Sequence, residues 1–177
     1  MAATTLDLIN ATFRALPMVI LVALLFLSCV CGSTVASIAM AGYTVNFCVL
    51  WTLKRSLHAW NPRISTRPST STRSSCGMFE NGIGEMGTSD LGMPSGHCQA
   101  TAFLAAFVAT RLCLQHQHHQ HQHQNGGALA LALRLAVLAA LVGYQAYTRV
   151  VVYECHTAAQ AVAGVLVGIA VGVLTAI

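Results

Sequence analysis

An all-α, polytopic bundle of four to five membrane-spanning helices is what this sequence predicts, on three observations. Of 177 residues, 55% are hydrophobic and only 8% are charged, against roughly a quarter charged in an ordinary soluble domain. The apolar residues form continuous runs, each able to cross the roughly 30 Å hydrocarbon core, which takes about 20 helical residues. These runs lack the period-two alternation of a membrane barrel.

The elements follow in order. The opening "MAATTLDLINATFRALP" does not read as a cleaved secretory signal, because Asp7 precedes its one cation, Arg14, and the apolar run behind it is too long. Leu16 to Leu53 carries no charge and exceeds one comfortable span, so it predicts two short helices broken near Gly32, Ser33 and Thr34. If that pair were one helix and a surface segment, the count would be four rather than five. Ser95 to Leu114, Leu129 to Tyr147 (interrupted by Arg134 and Gln145) and Thr157 to Ile177 supply the other spans. The seven cysteines are odd in number, and Cys29, Cys31, Cys48 and Cys113 lie in or beside apolar runs. They do not suggest a disulfide framework and read mostly as small buried hydrophobes.

Residues 1–177 thus read as a single integral membrane domain with two prominent loops. Residues 55–91 are rich in Ser, Thr, Arg and Gly without apolar period, which predicts a partly ordered lid or a disordered strap. Residues 115–127 contain "QHQHHQHQHQ", with five of the eight histidines. A low-complexity repeat of this kind reads as an exposed loop with weak metal affinity, since a structural metal site needs ligands fixed by a fold at defined spacing. No cofactor, resident metal or nucleic-acid partner is expected, and no oligomeric state is specified. With spans alternating in direction, Lys54, Ser95, His97, Arg149 and His156 converge at one membrane surface, and the His/Gln loop lies at the other.

Three stretches at that surface carry chemistry. In "GMPSGHCQ", proline suits a helix's first turn and glycine admits a ligand close to the backbone. A helix start also offers unpaired N–H groups to an anion, with Ser95 adding a hydroxyl and His97 a proton donor. Read alone, the same residues describe an ordinary helix start with a boundary histidine. In "YTRVVVYECHTAAQAVAGVLVG", Arg149 is a forked cation suited to phosphate oxygens. Thr157 and Gln160 form a capping box that starts a helix just after His156. Gln160, Gly164, Gly168 and Gly172 follow His156 in steps of four, and such small-residue spacing lets membrane helices pack closely. Gln160 reads equally as a cap residue or as one that orients His156. Lys54, followed by Arg55, reads by itself as a snorkelling anchor.

Together, "LKRSLHAWNPR", "MPSGH" and "TRVVVYECH" resemble the Lys-x6-Arg-Pro, Pro-Ser-Gly-His and Ser-Arg-x5-His-x3-Asp signature of the type 2 phosphatidic acid phosphatase superfamily, which includes the vanadium haloperoxidases. "GMPSGHCQ" and "HTAAQAVAG" are similar to patterns of its dolichyldiphosphatase-like branch. The resemblance covers roughly residues 41 to 172. It implies a metal-independent phosphatase or diphosphatase acting on lipids in the membrane, with a polyprenyl (dolichyl-type) diphosphate as substrate and phosphatidic acid or another lipid phosphate as the alternative. It further implies that His156 is the nucleophile that becomes a phosphohistidine and His97 the general acid. Lys54, Ser95, Gly96 and Arg149 would bind the phosphate, and Gln160 would orient the nucleophile.

Three positions depart from the signature. Asn61 stands where arginine precedes the proline, leaving Arg63 as the substitute. Six residues rather than five separate Arg149 from His156, which requires a local bulge, and Gln160 replaces the aspartate. Two other functions remain open at this level: a catalytically impaired homologue that binds lipid phosphate, and a metal-binding or metal-transporting membrane protein built on the histidine loop. The cations Lys54, Arg55, Arg63, Arg67, Arg73 and Arg149 would place the active surface in the cytoplasm by charge bias. The resemblance implies the endoplasmic reticulum membrane, with the site in the lumen.

Overall fold

A computed structural model describes residues 4–68, 76, 91–120 and 127–177. Its helices are α1 (Thr5–Cys29), α2 (Thr34–Trp60), the short α3 (Pro62–Ser65), α4 (Gly96–Gln120), α5 (Ala128–Tyr147) and α6 (Ala158–Ala176). A π-helical turn, Thr148–Val152, continues α5. Five of these helices are long and apolar enough to cross a membrane, and no strand occurs among the described residues.

The charge-free run breaks where expected, at Val30 to Ser33, with Gly32 at φ 64° and the Ser33 hydroxyl capping Ala36 N at 3.2 Å. The two helices are not short, however: α1 has 25 residues and α2 has 27. The first begins eleven residues ahead of Leu16 because Thr4 and Asp7 form a reciprocal capping box. Its early turns face inward through Asn10 and Phe13, whose partners are the Tyr144 hydroxyl (2.9 Å to Asn10 Oδ1) and the Tyr144 ring.

The core gathers Ile20 and Leu24 of α1, Ala39 and Tyr43 of α2, Ala100, Phe103 and Phe107 of α4, and Ala176 of α6. Tyr43 donates its hydroxyl proton to Pro17 O at 3.0 Å, so the one polar atom it brings inside is satisfied. The glycine face of α6 lies directly on α4. A Cβ at Gly164 would strike the Ser95 carbonyl, and one at Gly168 the Gln99 carbonyl. Backbone-to-backbone approach of this kind is what small residues permit in a membrane, where packing rather than the hydrophobic effect holds helices together. It also fixes the start of α4 against the start of α6, where Ser95 N donates to Gln160 O at 3.0 Å.

Two expectations are corrected. Cys76 and Cys155 form a disulfide, with Cα atoms 5.4 Å apart. Their separation of 79 residues conceals the pairing from any reading of spacing. Among the others, Cys98 is buried, whereas Cys29, Cys31 and Cys48 face outward. The His/Gln segment is not all loop: α4 runs on to Gln120, so its first turns are helical. Residues 121–126 of that segment, and 69–75 and 77–90 of the lid or strap, lie outside the described residues.

Candidate active site

The site is built where α2 ends and α4 and α6 begin. Thr66 pairs with Leu91 in an isolated antiparallel bridge, and Gly92 N donates to Ser65 O at 2.6 Å, so the two ends of the 55–91 segment lie side by side. Lys54, 5% exposed, does not snorkel outward; its Nζ donates to Leu91 O at 2.5 Å. At Gly96, an added Cβ would press on the Leu50 side chain, so the glycine lets α4 start close against α2.

Ser95 is fully buried, and its Oγ has no hydrogen-bond partner among the described residues. Thr4, Ser33, Asn61 and Thr157, which precede other helices, all use their side chains as caps. The Ser95 hydroxyl caps no helix N–H in this way and lies near the Cys98 thiol. His97, one residue into α4, pairs its Nε2 with Arg14 O at 3.0 Å. A carbonyl only accepts, so Nε2 carries the proton and Nδ1 is the nitrogen left for proton exchange.

Arg149 has no exposed surface. Its Nη2 donates to Cys76 O at 2.6 Å, while Nε and Nη1 have no acceptor among the described residues. Desolvating a guanidinium and leaving two of its nitrogens unpaired is costly unless an anion arrives. The required bulge is present: after the π-turn, Glu154 takes a left-handed φ of 49°, and Cys155 N and His156 N both return to Arg149 O, at 2.9 and 3.2 Å. The extra residue is thereby absorbed and His156 stays beside Arg149.

His156 is 3% exposed, and its Nδ1 has no partner among the described residues. Burial, and then the charges of Arg149, Arg67, Lys54 and His97, hold its pKa well below the ordinary histidine value. The imidazole is therefore neutral at neutral pH, with a lone pair to offer. Between that depressed value and the ordinary one near 6.5, the unfolded chain binds a proton that the folded site refuses. Stability from this group is complete above about pH 6.5 and is lost as pH falls. The melting temperature of the substrate-free protein is expected to drop between about pH 7.5 and about pH 5, and His156→Asn to flatten that slope. An unchanged slope in the variant would show that His156 does not sit neutral in the fold.

The structure thus brings Lys54, Ser95, Gly96, His97, Arg149 and His156 to one end of the bundle. It does not bring Arg63 there, which is exposed on α3 with its backbone N capped by Asn61 Oδ1 at 3.1 Å. Arg67, four residues further along and beyond the end of α3, is among the cations whose charge bears on His156, with Arg149 and Lys54. Nor does Gln160 reach His156. Its Oε1 accepts from Thr157 N at 3.2 Å, and its Nε2 donates to Ile64 O at 3.2 Å and Thr66 O at 2.7 Å. The carboxamide clamps the end of α3 and Thr66 onto α6, which is why position 92 is glycine: a Cβ there would overlap it. Arg14, Arg67 and the disulfide are site components that the sequence motifs missed; an arginine inside an otherwise apolar span was the available signal for Arg14.

Among curated proteins and solved structures, no match to the chain was found. The family signature resembled by the three motifs is matched as a whole by a family model that runs from the end of α1 to the last residue. The chain belongs, over residues 31–177, to the PAP2 superfamily.

Proposed function

We propose that this protein hydrolyses a polyprenyl (dolichyl-type) diphosphate through a phosphohistidine on His156, as a member of the dolichyldiphosphatase-like branch. Membership of the PAP2 superfamily, in a chain with five helices fit to cross a membrane, points to a lipid phosphatase. The observation that carries the reading is the buried Arg149 guanidinium, with two nitrogens lacking acceptors beside the orphan Ser95 hydroxyl. Phosphoryl transfer demands mainly positioning and neutralisation of spread negative charge, and Arg149, Lys54, Arg67, Ser95 and the α4 start supply both.

In the proposed reaction the neutral His156 attacks phosphorus, a P–N bond forms, and the P–O bond to the leaving group breaks. His97, entering as the imidazolium with its Nε2–H on Arg14 O, gives that oxygen the proton from Nδ1 and becomes neutral. Water then attacks the phosphohistidine, a P–O bond forms, the P–N bond to His156 breaks, and the proton of the water returns His97 to its imidazolium form as phosphate leaves. The lipid tail stays in the bilayer throughout. The disulfide beside the site supports an oxidising compartment at this face, in keeping with the lumen of the endoplasmic reticulum.

One observation favours a second reading, binding without turnover: Gln160 is engaged by backbone groups, so nothing described fixes the tautomer of His156. Phosphate release from dolichyl diphosphate and from phosphatidic acid, by detergent-solubilised protein in chelator, decides between them. Release that fails in both His156→Ala and His97→Ala is expected. Lipid binding by folded protein without release, or release that survives both substitutions, would overturn the catalytic assignment.

A further inference from the structure

α1 starts ahead of residue 31, where the family match begins, yet it takes part in the site. Its carbonyl at Arg14 holds His97, and its one cation is that same residue. An arginine inside a membrane-spanning helix is expensive unless it turns inward to a partner, and such residues mark polar paths. The Arg14 guanidinium lies 5.6 Å from the centre of the Tyr153 ring. The Arg149 guanidinium lies 5.6 Å from the same ring.

Two guanidinium groups that share one phenol ring repel each other. Each guanidinium being 5.6 Å from the ring centre, the two are separated by no more than twice that distance. A diphosphate places a second set of anionic oxygens one bridging oxygen away from the phosphorus under attack. That bound admits one phosphoryl group on Arg149 with the other directed towards Arg14. Burial raises the Tyr153 pKa, which keeps its hydroxyl protonated and a hydrogen-bond donor.

We infer that Arg14, with Tyr153, forms a second phosphoryl subsite beside the Arg149 cradle, and that α1 thereby selects diphosphate over monophosphate lipids. This rests on the lipid phosphatase reading for its substrate but not for its geometry. Arg14 is a specificity-determining residue here. Its backbone carbonyl, which holds His97, survives any side-chain replacement, so the guanidinium can be tested alone.

The experiment has a turnover arm and a binding arm, both on the full chain in detergent. Wild type, Arg14→Gln, Arg14→Lys and Tyr153→Leu are compared on a polyprenyl diphosphate and on the monophosphate of the same alcohol. The ratio of kcat/KM values, diphosphate over monophosphate, is expected to fall about tenfold in Arg14→Gln, largely through KM, with partial recovery in Arg14→Lys. Tyr153→Leu is expected to lower the same ratio, which preserves the test should Arg14→Gln fold poorly. In the second arm, thermal stabilisation by inorganic diphosphate and by inorganic phosphate is titrated. Wild type should favour diphosphate by about tenfold, and Arg14→Gln should lose that preference. A ratio and a preference unchanged in both Arg14→Gln and Tyr153→Leu would reduce the arginine–tyrosine–arginine stack to packing. Should wild type turn over neither lipid, the phosphatase reading fails while the binding arm still decides the subsite.

Discussion

Replacing Arg149 by methionine is expected to lower kcat/KM for the lipid substrate by about 10³-fold and yet leave the substrate-free protein at least as stable as wild type. The two halves follow from one geometry. In the proposed reaction, transition-state charge on the phosphorus-bound oxygens would meet the forked guanidinium, which is fully buried. Without substrate the same group is desolvated, with one hydrogen bond to Cys76 O and two nitrogens unpaired among the described residues. A methionine of similar length removes that unfavourable burial at the cost of a single bond. Melting curves with and without inorganic phosphate, beside kinetics, check both halves. Phosphate should stabilise wild type and not the variant. A large fall in stability of the substrate-free variant would mean that Arg149 is structural.

Reducing the Cys76–Cys155 disulfide is expected to destabilise the protein by about 2–4 kcal/mol and to lower activity together with stability. The bond spans 79 residues of sequence, so it removes much freedom from the unfolded chain. Its position matters as well. Cys155 directly precedes His156, and the Cys76 carbonyl is the acceptor that Arg149 has found. Loss of the bond frees both contacts at once. Cys76→Ser should reproduce the effect of reductant, and reductant should then do nothing further to the variant. Full activity after reduction, measured well below the melting transition, would show that Arg149 holds its place without the Cys76 carbonyl.

Several parts of the site were legible in the chain because they rest on local rules. The Thr157–Gln160 capping box, the start of α4 after "MPS" and the glycine spacing of α6 each depend on residues within a few turns of one another. The extra residue before His156 likewise announced a bulge, and the backbone provides it through a π-turn and Glu154. Arg63 shows the limit of counting along the sequence. It is nearest the vacated arginine position, but Asn61 starts a new short helix there and turns Arg63 outward; α3 must end and the chain pass through the Thr66–Leu91 bridge before Arg67 is reached. Gln160 shows another limit: its spacing from His156 put it on the right face, and its competing partners, Ile64 O and Thr66 O, come from nearly a hundred residues away.

The sequence by itself determined that this is a helical protein with spans fit for a membrane, where its first apolar run breaks, and which superfamily its three motifs resemble. Apolar run length, caps and small-residue steps act over one or two helical turns, and a membrane leaves few alternatives to satisfying the backbone within each helix. Only the tertiary structure decided which charges meet. The disulfide, the turning inward of Lys54, the arrival of Arg67 in place of Arg63 and the entry of Arg14 from α1 all depend on how helices far apart in sequence dock. That docking is set by backbone contact at Gly164 and Gly168 and by hydrogen bonds such as Ser95 N to Gln160 O, interactions whose two halves carry no sign of each other in the chain.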